Sequence, residues 1–264
     1  MAEIIKSKDN PLIKRITRLL SSAKGRREEG CFVCEGVRLC RDAVLSGAGI
    51  LCFCCTEQAY SKNVEAAEMI SSAAEKTVRV SPSLLSKLSD TDNPQGFLCI
   101  VRMNARAAEI TPGRCYAALE RIQDPSNLGT ILRTAEALGI SGVILSGDCC
   151  DIYSPKVVRG SMGAVFRLPF IIKGDFTEYI RSVSDDNIRT FASTPRNAVS
   201  IEKADFSAGG IMLIGNEGSG LCEETIDACT DRVMIPMLGR AESLNASSAA
   251  SILLYKLISS QKLG

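Results

Sequence analysis

From Cys115 onward, short apolar runs alternate with helix-forming segments, and this alternation most constrains the fold. The runs lie at 115–121, 142–146, 188–193, 210–214 and 231–235, and helical patterns occupy 125–138, 175–184, 219–229 and 243–261. Strands that return through helices pair in parallel, and such a sheet is covered on both faces. The spacing therefore predicts an α/β fold with a largely parallel sheet. Sheets of this class place ligands beyond the carboxyl ends of their strands. The segments that follow the strands are where chemistry is expected.

A smaller α/β unit precedes this one. Strand-like runs at 31–34, 50–55, 77–80 and 97–102 alternate with helical patterns near 36–46, 63–75 and 82–89. The segment 103–113 has no periodicity and ends in Pro112-Gly113, so it reads as a linker between 1–102 and 114–264. Residues 11–29 read as one amphipathic helix, capped by Asn10 and opened by Pro11, with Ile13, Ile16 and Leu20 on the apolar stripe. Lys14, Arg15, Arg18, Lys24, Arg26 and Arg27 place six positive charges before the first acid, Glu28. On position alone this is a solvated helix face. The net charge is +1, so any claim on nucleic acid rests on a local patch of this kind.

The chain contains no histidine, which removes Ser-His-Asp triads, Cys-His dyads and H-E-x-x-H metal helices. It contains twelve cysteines. The start, Met1-Ala2-Glu3-Ile4-Ile5-Lys6, lacks the pattern of a signal peptide, and no stretch reads as a membrane helix. A cytoplasmic protein with reduced thiols is the expectation. Cys31 and Cys34 form a C-x-x-C, but on a strand positions i and i+3 face opposite ways. With no second such pair and no histidine, these cysteines read as small buried hydrophobes, and no metal is expected.

Three segments break the pattern of plain packing. Gln123-Asp124-Pro125-Ser126-Asn127-Leu128-Gly129 leads into a helix that carries Arg133 away from its apolar stripe. Ile214-Gly215-Asn216-Glu217-Gly218-Ser219-Gly220 puts three glycines in six residues after an apolar strand, where backbone can turn tightly against a ligand. It is neither G-x-G-x-x-G nor a P-loop. Ile235-Pro236-Met237 is followed by Ser243-Leu244-Asn245-Ala246-Ser247, then by a run of small residues opening the last helix. Taken singly, each also reads as an ordinary strand-to-helix turn with solvated polar residues.

In this order and spacing the three resemble the signature motifs of the SpoU (TrmH) family of RNA ribose 2′-O-methyltransferases. They match N-x-G-x-x-x-R, G-x-E-G-x-G, and I-P-M followed by S-L-N-x-S, with Ala246 where valine is usual. Tyr153-Ser154-Pro155-Lys156 through Ala164 is similar to a connecting segment of these proteins, and the likeness spans roughly 115–262. Over 1–102 the basic helix followed by Phe32-Val33-Cys34-Glu35-Gly36 resembles the family's appended substrate-binding domain, which has an L30e-like fold.

The resemblance implies a SPOUT-type α/β domain with a deep trefoil knot over 114–264, and a homodimer. It implies S-adenosylmethionine as methyl donor, with Thr194, Gly215, Ile235, Ser243 and Leu244 at the cofactor. Asn127, Arg133, Glu217 and Asn245 are implied as catalytic. Arg133 is either a general base or, since guanidinium stays protonated in proteins, the group that holds phosphate and stabilises the developing alkoxide. Asn127 and Asn245 would orient Arg133 and the ribose, and Glu217 would brace its loop or pair with Arg133. Lys14, Arg15, Arg18, Arg26, Arg27 and Arg159 are implied RNA contacts, with Lys156 extending the track. The appended domain favours ribosomal RNA of the large subunit as substrate. Transfer RNA, or an RNA-binding protein without catalysis, are the alternatives.

Overall fold

The structure is a computed structural model and describes residues 4–89, 91, 93–103 and 107–261. In chain order its elements are β1 (Ile4–Ile5), α1 (Pro11–Ser21), α2 (Ala23–Glu29), β2 (Cys31–Glu35), α3 (Val37–Leu45), β3 (Ile50–Cys55), α4 (Glu57–Lys62), α5 (Val64–Ala73), β4 (Thr77–Val80), α6 (Pro82–Leu88) and β5 (Phe97–Arg102). They continue with β6 (Cys115–Leu119), α7 (Pro125–Ala137), β7 (Gly142–Ser146), α8 (Pro155–Gly160), α9 (Ala164–Arg167), β8 (Phe170–Lys173), α10 (Phe176–Asp185), β9 (Thr190–Ser193), β10 (Val199–Ser200), β11 (Gly210–Ile214), α11 (Glu223–Asp227), β12 (Asp231–Met234) and α12 (Ala246–Ser259). None of the described helices is long and apolar enough to cross a membrane.

The chain forms two compact units. One comprises Met1–Asn104 with Tyr153–Arg167, and the other Ala105–Ile152 with Leu168–Gly264. A single division at 103–113 does not produce this grouping, because Tyr153–Arg167 packs with the first unit. Its anchors are aromatic: the Phe32 ring lies 4.6 Å from that of Tyr153 and 5.9 Å from that of Phe166.

The first unit is built on a five-stranded mixed sheet in the order β1-β4-β3-β5-β2. Alternation along β2 sends Cys31 and Val33 into one core, with Ile13, Ile16 and Leu19 of α1 and Leu84, Leu85 and Leu88 of α6. The expected single helix over 11–29 is two helices. Ser22 takes an extended conformation between them, and its hydroxyl accepts a hydrogen bond from the Gly25 amide. The physical reason is Arg26. Arg26 is 4% exposed, and its guanidinium donates to the carbonyls of Leu19 (2.6 Å) and Leu20 (3.2 Å), C-terminal acceptors of α1.

The second unit is a seven-stranded sheet in the order β10-β12-β9-β11-β6-β7-β8, and every neighbouring pair is parallel. From β6 the chain steps outward through β7 to β8, then returns to the other side of β6 to lay down β9 and β11. The strand order reverses there, between β6 and β11, which is where this class of sheet opens a crevice. β8 and β10, not expected from the sequence, are the two edge strands of the sheet, and β10 is only 2 residues long. α12 packs against α7 and β11 through Ala246, Ala250, Leu253, Leu254 and Leu257, all buried.

Candidate active site

The loops after β6 and β11 meet at the sheet's reversal. α7 starts as its sequence demands: Pro125 occupies its first turn and the Asp124 carboxylate accepts from the Ser126 amide at 2.7 Å. Asn127, one turn in, is 6% exposed, and its amide donates to Glu217 at 3.0 Å. Glu217 also accepts from the backbone amides of Asp124 (3.3 Å) and Gln123 (3.4 Å) and from the side-chain amide of Asn216 (3.2 Å). Partial burial pushes the Glu217 carboxyl up. The hydrogen bonds from Asn127 and the loop amides outweigh that and hold it below its ordinary range. Glu217 is therefore the brace between the two loops, and its recorded partners do not include Arg133.

The glycine-rich loop is closed on itself. Asn216 and Gly220 exchange backbone hydrogen bonds at 3.1 and 3.0 Å, and Gly220 sits at φ +69°. The Asn216 side chain accepts from Gly218 and Ser219 amides and donates to the Arg121 carbonyl at 2.8 Å. A Cβ on Gly215 would lie 2.2 Å from the Gly220 carbonyl carbon and the Leu221 nitrogen. Glycine is thus required here by the loop's own backbone, before any ligand is considered.

Beyond the ends of β9, β11 and β12 lies a cleft of about 610 Å³. All five residues implied for the cofactor line it: Thr194, Gly215, Ile235, Ser243 and Leu244. Of the four implied catalytic residues, Glu217 alone is among the lining. Asn245 caps α12, accepting from Ser247 N (2.9 Å), the Ser247 hydroxyl (2.7 Å) and Ser248 N (3.4 Å). Arg133 is exposed on the outer side of α7, with no hydrogen bond or ion pair recorded among the described residues. The structure joins Asn127 to Glu217 directly and leaves Arg133 and Asn245 pointing outward.

Sequence reasoning missed Glu120 and Arg121. Glu120 is 4% exposed and accepts from the Cys222 amide (2.8 Å) and the Thr225 hydroxyl (2.7 Å), tying β6 to the far end of the glycine-rich loop. Arg121 adopts φ +54°, and its amide donates to the Ser146 hydroxyl at 2.8 Å. The available signal was an acid directly after a five-residue apolar strand, a position otherwise facing the core. Arg196 and Glu223 were missed as well. They line the cleft and pair at 2.5 Å.

In the first unit the basic residues have diverged in role. Arg15 pairs with Glu29 at 2.6 Å, Arg18 pairs with Glu28 and Glu29, and Lys24 lies 3.8 Å from Glu28. Arg26 is buried under α1, which corrects its expected place as an RNA contact: a guanidinium satisfying two carbonyls in the core is not offered to phosphate. Lys14, touched by Asp9 at 3.7 Å, and Arg27 are exposed. Arg159 is exposed on α8.

The cysteines Cys31 and Cys34 do not converge. Cys31 approaches Arg15 and Glu29, while Cys34 lies in a buried group with Cys40 and Cys99 whose sulfurs are all within 4.8 Å. Burial pushes the Cys40 and Cys99 thiols well up, so both stay protonated.

Residues 114–255 match the SpoU rRNA Methylase family, and residues 10–99 match the MRM3-like substrate binding domain. The chain belongs to the SpoU rRNA methylase family. It is 34% identical to an uncharacterized tRNA/rRNA methyltransferase of Synechocystis, over 96% of this chain and 92% of that one. It is 31% identical to a 23S rRNA (uridine(2479)-2′-O)-methyltransferase of Streptomyces viridochromogenes, over 91% and 86%. An AdoMet-bound rRNA methyltransferase from Sinorhizobium meliloti superposes with a TM-score of 0.86 at 31% identity, covering 97% of each chain. The three SpoU motifs thus fall on the three loops that carry the brace, the cleft and the cap of α12.

Proposed function

We propose that this chain transfers the methyl group of S-adenosylmethionine to a ribose 2′-hydroxyl of ribosomal RNA. The observation that carries the reading is the cleft of about 610 Å³ beyond β9, β11 and β12, joined through the Glu217–Asn127 hydrogen bond to the helix bearing Arg133. The residues fit the cofactor. Val233, Ile235, Leu244 and Leu253 offer an apolar wall, and the loop Gly215–Gly220 offers exposed backbone and the Ser219 hydroxyl. Its size is that of small-molecule sites in general. When bound, the cofactor supplies a methyl group on a positively charged sulfur.

The chain's own residues then have three tasks. Gly215, Ile235, Ser243, Leu244 and Thr194 hold the donor. Glu217 and Asn127 fix the two loops relative to each other, so that α7 presents its outer side in one position. Arg133, with no acid against it among the described residues, would hold a phosphate of the RNA and stabilise negative charge on the ribose oxygen as its proton passes to solvent and the oxygen takes the methyl, with S-adenosylhomocysteine as the leaving group. Asn245, anchored by the first turn of α12, orients the ribose beside it.

We assign RNA contact in the first unit to Lys14, Arg27 and Arg159, with Arg15 and Arg18 engaged through their acid pairs. The active enzyme is a cytoplasmic homodimer with a trefoil knot in its C-terminal region. Support for the dimer is the apolar surface of Leu238, Tyr255, Ile252 and Leu244, which are exposed by 99%, 62%, 41% and 37%. The test is transfer of labelled methyl from S-adenosylmethionine to ribosomal RNA, with the modified nucleotide mapped. Labelling of transfer RNA alone would move the substrate assignment, and binding of RNA without transfer would overturn the enzyme reading.

A further inference from the structure

Four charged residues line the cleft: Arg196, Glu217, Glu223 and Glu242. Glu217 is committed to Asn127 and the loop amides. Arg196 is the cleft's single cation among the described residues, and it pairs with Glu223 at 2.5 Å. The two come from different loops. Arg196 follows β9, where its amide donates to the Thr194 hydroxyl at 3.3 Å, and Glu223 is the first residue of α11, just past the glycine-rich loop. Their side chains are 76% and 62% exposed. An ion pair that open is among the weakest contacts a protein makes, so a ligand can part it at little cost.

S-adenosylmethionine ends in an amino acid, with a carboxylate and an ammonium on one carbon. We infer that Arg196 and Glu223 form the subsite for this end, exchanging their mutual pair for the ligand's carboxylate and ammonium respectively. This rests on the cofactor reading above and goes further, naming which charges read which part of the ligand. The guanidinium fork matches a carboxylate in two parallel hydrogen bonds, and the Glu223 carboxylate accepts from the ammonium. The pair also explains why two flexible, exposed side chains stand ready at the cleft without a ligand: each holds the other in place. Glu242 also lines the cleft, but among the described residues no cation pairs with it to read a zwitterion.

The test is titration calorimetry of the full chain with three ligands: S-adenosylmethionine, S-adenosylhomocysteine and 5′-methylthioadenosine. The last keeps the adenosine and the sulfur and lacks the amino acid. Arg196→Ala and Glu223→Ala each weaken the first two ligands by about tenfold, the scale of one lost hydrogen bond to a charged group. Both leave 5′-methylthioadenosine affinity unchanged. The reversed variant, Arg196→Glu with Glu223→Arg, keeps an ion pair and still binds S-adenosylhomocysteine weakly, because the charges face the wrong ends. An equal loss for 5′-methylthioadenosine would make the pair a structural strut and overturn the inference, as would unchanged affinity for S-adenosylhomocysteine. If the unaltered protein binds none of the three, the cofactor reading itself falls, and this inference with it.

Discussion

The two units handle charge in opposite ways. In the first, positive residues crowd into one stretch of sequence, and the fold neutralises most of them: Arg15 and Arg18 meet Glu28 and Glu29, and Arg26 disappears under α1. In the second, Asn127 and Glu217 lie 90 positions apart in sequence, and the fold joins them by a hydrogen bond where the loops after β6 and β11 meet. A run of like charges is a poor guide because the chain that carries it also carries acids a turn or two away. Single polar residues placed after strands are a better guide, because a parallel sheet sends all its strand ends to one edge. Arg133 and Arg26 are the sharpest contrast: among the described residues one guanidinium is exposed with no partner, and the other is buried against the Leu19 and Leu20 carbonyls.

The largest effect is expected at Arg133. Arg133→Ala removes a side chain that touches no core, so folding and cofactor affinity stay as they are. Methyl transfer falls by about a hundredfold or more, the scale for loss of a positioned charge-stabilising group. Single-turnover transfer of labelled methyl reads the chemical step apart from product release. Arg133→Lys keeps charge and loses the fork, so partial rescue marks charge stabilisation as the larger part of the role. Transfer at the unaltered rate in Arg133→Ala would return this arginine to an ordinary solvated residue and erase the contrast between the units.

Arg26 is expected to behave in the reverse sense. Arg26→Met keeps the aliphatic stem and strands the Leu19 and Leu20 carbonyls, at a cost of about 1–3 kcal/mol in stability. Urea unfolding followed by circular dichroism measures this. If Arg26→Met is as stable as the parent but binds RNA less well, the guanidinium leaves the core in solution and the two arginines are alike after all.

Much of this is legible in the sequence. The strands at 50–55, 77–80, 97–102, 142–146 and 210–214 were read with the bounds the structure gives, because continuous apolar runs bounded by turn residues leave few alternatives. The caps Asn10 and Asp124 were equally plain, whereas the last helix, expected from 243, starts at Ala246 with Asn245 as its cap. What escaped depends on partners distant in sequence. The break at Ser22 follows from where Arg26 lands, and the packing of Tyr153–Arg167 with the first unit follows from Phe32, more than a hundred residues earlier. Glu120 looks like any acid at a strand end until Cys222 and Thr225 are seen to satisfy it. Gly215 was expected to make room for a ligand. The structure adds that the backbone of Gly220 and Leu221 already fills the space a side chain would need.

The smallest expected effect concerns the cations the first unit leaves exposed. Each cation that neutralises a phosphate releases condensed counterion, so the logarithm of RNA affinity falls linearly with the logarithm of salt concentration, at somewhat under one unit of slope per phosphate. Lys14 and Arg27 are exposed on separate helices, and among the described residues only Asp9, at 3.7 Å from Lys14, pairs with either. Lys14→Gln with Arg27→Gln therefore makes the slope shallower by about one to two units and lowers affinity modestly at low salt. Arg26→Met, measured in the same series at a temperature where it stays folded, leaves the slope as it was. A shallower slope for Arg26→Met with no change for the Lys14 and Arg27 variant would mean that exposure is the wrong criterion. The charges that fold against acids in the free protein would then be the ones that open to meet RNA.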